Sequence, residues 1–144
     1  MKFGEETKVR ILVADDDVVL TRLLEQRLHD RGFEVQIAHD ALQAWQTVRR
    51  EPPDLILLDI KMPGGTGLAV LRRLKNNQAV RGVPVIVITA AEEQSLLQQI
   101  LALQPGALLR KPVKLADLDF EISRLLAQRE LAGSAPQTSP KRSG

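Results

Sequence analysis

Three consecutive aspartates, Asp15 to Asp17, follow an apolar run in the segment ILVADDD. Like charges this close oppose one another's ionisation, since two unit charges about 4 Å apart repel by about 4 kcal/mol at an effective dielectric near 20. A cluster of this kind at the end of a buried strand therefore requires a cation. Carboxylates without His or Cys favour Mg²⁺, which binds one or two carboxylates and keeps positions for water and phosphate oxygens.

Three further polar residues stand at the ends of apolar runs. Asp59 ends the run DLILLD, Thr89 ends VPVIVIT, and Lys111 ends ALLRK. Asp59 adds a carboxylate to the predicted metal site, Lys111 adds a positive charge, and Thr89 adds a hydroxyl donor. A metal, an ammonium and a hydroxyl directed at one carboxylate stabilise an anion there. Phosphoryl transfer needs such a set of groups, because its transition state depends mainly on positioning and charge neutralisation.

The elements that must position these residues are short apolar runs separated by amphipathic segments. Runs of strand length cover residues 9–14, 34–38, 54–59, 83–89 and 107–111. Apolar residues recur at helical spacing after each run. The alternation predicts an α/β fold, a doubly wound five-stranded parallel sheet with five helices. Ligands of such sheets bind outside the carboxyl ends of the strands, where only the second strand contributes no comparable residue.

Residues that begin and end helices agree with this reading. Asp17 stands where the N-cap of the first helix belongs, and Asp40 can cap the second. Gly32 follows the first helix as a C-terminal cap would, and Pro52-Pro53 stops the second. Asp17 is therefore predicted to start a helix rather than bind a metal.

Composition limits the class of protein. The chain has 144 residues, 44% of them hydrophobic, and no cysteine, which suits one folded domain and excludes disulfides, thiolate metal sites and a cysteine nucleophile. We expect a flexible segment at residues 1–7, the domain at 8–129 and a disordered Ser/Pro/Gly-rich tail at 130–144. No apolar run approaches the roughly 18 residues of a membrane helix, so a cytoplasmic location without membrane contact is predicted.

The charge balance does not indicate a nucleic-acid binder. The sequence pI is about 9.2, but the net charge is only +2, and Lys141 and Arg142 in the tail supply it. The rest of the chain is neutral, so no direct contact with nucleic acid is predicted. His29 and His39 are isolated, and we interpret them as a helix-surface residue and a loop residue.

Four motifs in order resemble the receiver domain of response regulators in two-component systems, of the chemotaxis-regulator type. They are ILVADDD, PDLILLDIKMPGGTG, VPVIVITAA and LLRKPV. Each motif alone is weakly specific, and together they are highly specific. The resemblance covers residues 8–129 and implies a flavodoxin-like three-layer sandwich with strand order 2-1-3-4-5.

The resemblance also implies a phosphoacceptor and a metal site. Asp59 matches the aspartate that takes a phosphoryl group from a partner's phosphohistidine. Asp16 matches the residue that binds Mg²⁺ directly, and Asp15 the one that usually binds it through water. The backbone carbonyl of Lys61 matches the third protein ligand.

Two more matches concern the switch. Thr89 matches the hydroxyl residue that moves toward the phosphoryl group, and Lys111 matches the lysine of the family's Lys-Pro step, in which the bond to Pro112 is commonly cis. The family usually has Tyr or Phe at the position of Leu108, and leucine cannot make the same rotation. Ala91 and Lys61 occupy positions associated with phosphoryl lifetime.

The implied partners are a sensor histidine kinase or phosphotransfer protein and an unknown output protein. In this family the fourth helix, fifth strand and fifth helix usually contact partners or a second copy, so a homodimer is possible. Two other functions stay open. One is a pseudo-receiver that binds without being phosphorylated. The other is a Mg²⁺-dependent aspartyl-phosphate hydrolase, which would have an aspartate where Lys61 stands.

Overall fold

The structure is a computed structural model that describes residues 8–62 and 67–134. The five strands are β1 (Arg10–Ala14), β2 (Glu34–Ala38), β3 (Leu55–Asp59), β4 (Val85–Thr89) and β5 (Ala107–Arg110). The five helices are α1 (Val18–Asp30), α2 (Ala41–Arg50), α3 (Gly67–Lys75), α4 (Gln94–Ala102) and α5 (Leu115–Ser134).

The strands form one parallel sheet in the order β2-β1-β3-β4-β5. This confirms the expected fold class and strand order. Strands β3 and β4 are buried at every position, because helices cover both faces of the sheet and the strands are accordingly apolar throughout. The neighbouring β1 is buried from Ile11 onward.

Helices pack on the two faces in separate groups. Helices α2, α3 and α4 bury their apolar residues with one set of strand side chains, and Trp45, Leu71 and Ile100 belong to that core. Helices α1 and α5 cover the other face, where Leu24 and Ile122 are buried. The helices are amphipathic as the periodicity predicted, and each core packs against one face of the sheet.

The predicted helix ends are confirmed. The Asp17 side chain accepts a hydrogen bond from Leu20 N at 3.0 Å, and Asp40 accepts one from Gln43 N at 2.8 Å. Gly32 has φ +93 just beyond α1, a left-handed conformation that glycine adopts without steric cost.

The C-terminal boundary differs from the prediction. Helix α5 continues to Ser134, so a helix replaces the expected disordered tail at residues 130–134. Arg129, Glu130, Leu131 and Ala132 are all compatible with a helix, and no proline interrupts them. The expected flexible segment at 1–7, the rest of the tail and residues 63–66 of the MPGGTG motif lie outside the described residues. None of the described helices is long and apolar enough to cross a membrane.

Candidate functional site

The carboxyl ends of four strands form one edge that gathers the predicted site residues. Asp15 directly follows β1, Asp59 ends β3 and Thr89 ends β4. Lys111 directly follows β5, and its backbone N–H donates to the Thr89 carbonyl at 2.9 Å. The parallel register, in which Asp59 is paired with Ile88, keeps these ends level.

Three carboxylates meet at this edge of the sheet, which we call the acidic edge. Asp15, Asp16 and Asp59 each offer an oxygen, and these oxygens lie within 4.8 Å of one another. Asp15 and Asp59 are buried, each with 4% exposure, and Asp16 is exposed. Oxygen donors alone, two of them shielded from water, fit a hard divalent cation such as Mg²⁺.

The Lys111 ammonium lies between the two buried carboxylates. Its Nζ is 2.9 Å from Asp15 Oδ2 and 3.3 Å from Asp59 Oδ2. Burial by itself lowers the pKa of Lys111, but hydrogen bonds and attraction to Asp15 and Asp59 raise it above the ordinary value. The lysine is therefore held charged beside the candidate phosphoacceptor.

One positive charge does not compensate the carboxylates fully. Burial and the neighbouring charge of Asp15 raise the pKa of Asp59 above its ordinary value. Lys111 and the Lys61 N–H, which donates to Asp59 Oδ1 at 3.2 Å, act in the opposite direction without cancelling the effect. A further cation at this edge would therefore reduce the repulsion that remains between the carboxylates.

Asp17 links the acidic edge to α1. Its backbone N–H donates to Asp15 Oδ1 at 2.9 Å, while its own carboxylate caps α1. Both Asp15 oxygens consequently have partners, since Oδ2 contacts Lys111. This orientation is fixed before any ligand binds.

The first residue of α3, Gly67, lies very close to the backbone of Asp59, the candidate phosphoacceptor. The Gly67 N–H donates to the Ile60 carbonyl at 2.7 Å, and a Cβ on Gly67 would lie 2.1 Å from the Asp59 carbonyl oxygen. Only glycine fits there. The sequence motif contains this glycine, but the reason for it becomes visible only in three dimensions.

The two predicted switch positions lie in different surroundings. Thr89 is fully buried, and its Oγ1 accepts a hydrogen bond from Ala91 N at 3.0 Å. Leu108 on β5 is half-buried and packs against the core beneath α2, α3 and α4. The Lys111-Pro112 bond is cis, as the resemblance implied.

His39 is a loop residue, as predicted, but its contact with the acidic edge was not foreseen. It directly follows β2, and its Nδ1 lies 3.0 Å from the Asp15 backbone oxygen. The second strand therefore does place a polar side chain at the edge. Its position after a strand next to β1 was the available signal.

Comparisons with known proteins agree with this geometry. The sequence profile described as "Response regulator receiver domain" matches residues 11–123. The response regulator PleD of Caulobacter vibrioides is 42% identical over 106 residues, which cover 72% of this chain and 23% of PleD. The DNA-binding response regulator MtrA of Mycolicibacterium paratuberculosis is 39% identical over 123 residues, 84% of this chain and 52% of MtrA. The chain thus spans from about a quarter to about half the length of these relatives.

A solved structure is also similar. The CheY-like response regulator receiver domain protein from Methanospirillum hungatei JF-1 superposes with a TM-score of 0.83 and 29% identity. The match covers 88% of this chain and 100% of that protein.

Proposed function

The chain belongs to the response regulator receiver domain family of two-component systems, and from this premise we propose that it is a phosphorylatable switch with Asp59 as phosphoacceptor. The donor is a phosphohistidine on a sensor kinase or phosphotransfer protein. The observation that supports this most directly is the Lys111 ammonium, which contacts the buried carboxylates of Asp15 and Asp59 at 2.9 and 3.3 Å.

In the proposed reaction an Asp59 carboxylate oxygen attacks the phosphorus. The O–P bond of an aspartyl phosphate forms while the P–N bond of the phosphohistidine breaks. A Mg²⁺ ion held by Asp16, Asp59 and the Lys61 carbonyl, and by Asp15 through water, would neutralise phosphoryl charge when bound. Lys111, whose Nζ lies 3.3 Å from Asp59 Oδ2, supplies a second positive charge beside the acceptor carboxylate.

Thr89 has a hydrogen available for the product. Its oxygen accepts from Ala91 N, which leaves the hydroxyl hydrogen free to donate toward a phosphoryl oxygen on Asp59. Leu108 cannot rotate in and out as an aromatic ring would. We infer that the output of this chain passes through adjustment of Leu108 and the surface of α4, β5 and α5 rather than through a ring flip.

The test is incubation with acetyl phosphate and Mg²⁺ followed by intact mass measurement. We expect a gain of one phosphoryl group that is lost in Asp59→Asn and retained in the matched control Asp30→Asn, which removes a carboxylate from the exposed end of α1. Absence of any gain in the native protein would favour the pseudo-receiver. Rapid multiple turnover of a phosphoester would favour the hydrolase.

A further inference from the structure

The helices on the two faces of the sheet differ in charge. Helices α2, α3 and α4 contain five basic residues and no acidic residue, whereas α1 and α5 contain four arginines and six acidic residues. We define the basic surface as the five basic side chains of α2 and α3 together with Arg81 in the next loop. Its members are Arg49, Arg50, Arg72, Arg73, Lys75 and Arg81.

The basic surface is not neutralised within the described part of the chain. On the opposite side, Arg27 pairs with Asp119 and Arg124 pairs with Glu121. Among residues 8–62 and 67–134, no member of the basic surface forms an ion pair with a carboxylate. Cations in the last turn of a helix interact favourably with its dipole, which explains their position but not the absence of acids from three adjacent helices.

Half of the basic side chains are already held in place. Arg73 lies over the Trp45 ring, 4.3 Å from its centroid. Arg72 donates to Gln99 Oε1 at 3.2 Å, and Lys75 donates to the Gln104 carbonyl at 2.9 Å. Side chains that are ordered in advance lose less entropy when a ligand binds.

We propose that the basic surface is a docking site for an acidic segment of a partner protein. Guanidinium groups bind carboxylates through paired, charge-assisted hydrogen bonds. Because helices of a doubly wound fold run antiparallel to the strands, the ends of α2 and α3 that carry these cations lie at the sheet edge opposite Asp59. A partner bound there leaves the phosphorylation edge open.

Charge outside the basic surface favours a short acidic segment over nucleic acid. The described residues contain 17 basic and 16 acidic side chains, but only 11 of the basic ones lie outside the basic surface. A long polyanion that extended past the basic surface would therefore meet net negative charge. Membrane insertion is disfavoured because Leu42 and Leu101 are the only large hydrophobics exposed on α2, α3 and α4.

The test measures anisotropy of a labelled twelve-residue peptide of alternating glutamate and serine. The quadruple variant Arg49→Gln, Arg50→Gln, Arg72→Gln and Arg81→Gln should bind about tenfold more weakly than the native protein, since four exposed pairs together contribute about 1.4 kcal/mol.

The matched control removes four positive charges elsewhere, by Lys8→Gln, Arg22→Gln, Arg110→Gln and Lys114→Gln. It should retain native affinity within about twofold. Equal losses in the two variants would overturn the proposal. So would tighter binding of a twelve-nucleotide single strand or of phosphatidylserine vesicles through the same four residues.

A second, independent observation concerns His39. Its backbone N–H donates to Gln43 Oε1 at 2.9 Å, which ties the residue to α2. Its ring Nδ1 lies 3.0 Å from the Asp15 carbonyl oxygen, and the Asp15 N–H donates to the Ala38 carbonyl at 3.0 Å. The end of β2 thus contacts the Asp15 backbone on both sides.

The structure assigns His39 as a positioning residue for the acidic edge. A carbonyl oxygen can only accept, so Nδ1 must carry the hydrogen. This bond fixes the peptide between Asp15 and Asp16, whose carboxylates would hold Mg²⁺. The assignment rests on the proposed function, and partners of metal ligands typically change metal affinity by about tenfold or more.

Two substitutions distinguish this role from a general structural one. The amide nitrogen of Asn occupies the place of Nδ1, because both are attached to Cγ, whereas that of Gln corresponds more closely to Nε2. We expect His39→Asn to keep native Mg²⁺ affinity and His39→Gln and His39→Ala to weaken it by about tenfold. His29→Ala on α1 is the matched control and should change nothing.

The measurement is a Mg²⁺ titration of the Asp15 and Asp16 amide resonances without phosphodonor. Nitrogen NMR of the ring should also show the Nδ1–H tautomer. Native affinity in His39→Ala, or equal behaviour of the Asn and Gln variants, would overturn the assignment. If the native protein binds Mg²⁺ but takes no phosphoryl group, the proposed function fails while the role of His39 stands.

Discussion

The acidic edge and the basic surface are opposite ends of the same molecule, and each gathers like charges. At the acidic edge, Asp15 and Asp59 are buried, and Lys111 is held between them. On the basic surface the arginines are exposed and have no carboxylate partner among the described residues. Burial accounts for the difference, because water and salt screen exposed charges but not buried ones. The buried carboxylates of the acidic edge therefore need an opposite charge within the fold. The exposed arginines of the basic surface do not, so they are available to bind a partner.

The acidic edge is also packed more tightly than the basic surface. Substitution of one glycine at each end tests this difference and has the largest expected effect. Gly67→Ala should lower the free energy of unfolding by about 3 kcal/mol, because its Cβ would lie 2.1 Å from the Asp59 carbonyl oxygen. Gly82, beside Arg81, has nothing within 4 Å of an added Cβ. Gly82→Ala should be neutral or slightly stabilising. Urea unfolding measures both, and similar losses in the two variants would contradict the comparison.

Removing one buried carboxylate should stabilise the metal-free protein. Asp59→Asn relieves repulsion by Asp15 and the cost of burying a charge, but it loses attraction to Lys111. Burial and repulsion by Asp15 together outweigh the attraction to Lys111, so the free energy of unfolding should rise by about 1 kcal/mol, the size usual for a single substitution. Addition of millimolar Mg²⁺ should raise the melting temperature of the native protein and have a smaller effect on Asp59→Asn. If the melting temperature of the native protein does not change when Mg²⁺ is added, the proposed metal site is refuted.

The ion pair of Arg27 on α1 with Asp119 on α5 provides a pH-dependent test on partly buried charges. Hydrogen bonding and attraction to Arg27 hold the pKa of Asp119 below its ordinary value. The pair therefore stabilises the fold above the ordinary Asp pKa, near 3.9, and this contribution is lost as pH falls through the lower folded value. Asp119→Asn should cost up to about 1 kcal/mol at pH 7.

The difference between native protein and Asp119→Asn should shrink toward zero at pH 3, measured by urea unfolding at the two pH values. Other carboxylates titrate in both proteins, so the comparison of the two isolates this pair. A difference that grew at low pH would show that Asp119 acts through packing instead.

The smallest effect is expected on the basic surface. Arg49→Gln with Arg50→Gln removes like-charge repulsion but also a favourable interaction with the C-terminal end of α2. These contributions oppose each other, so the free energy of unfolding should change by less than about 0.5 kcal/mol. A large stability loss by urea unfolding would mean that these arginines hold the fold together rather than present a surface.

Much of the fold followed from local patterns. Continuous apolar runs gave β3 and β4, and Asp17, Gly32 and Asp40 marked helix ends correctly. The helical spacing of Leu118, Ile122 and Leu125 gave α5, but its end was placed too early, because a Ser- and Gly-rich composition says little about where a helix begins to fray.

The site was predictable where residues end strands and not where contacts depend on packing. Asp59, Thr89 and Lys111 were identified from their places in the sequence. The contact of His39 with Asp15 was missed because it joins residues 24 apart, and no periodicity reports such a distance. The basic surface was missed for a related reason. Net charge averages over the chain, whereas the fold places the basic surface at one end of the molecule and the carboxylates of Asp15, Asp16 and Asp59 at the other.

We expect this separation of charge to give the described part of the molecule an electric dipole despite its nearly balanced charge. The retention of such a protein on an ion-exchange column does not follow from its pI alone, because the protein can present either its basic or its acidic end to the charged resin. Near neutral pH it should be retained on a cation exchanger through α2 and α3 at low salt. The same orientation would turn the acidic edge outward, so immobilisation through the basic surface offers a way to present Asp59 uniformly to a phosphodonor such as acetyl phosphate.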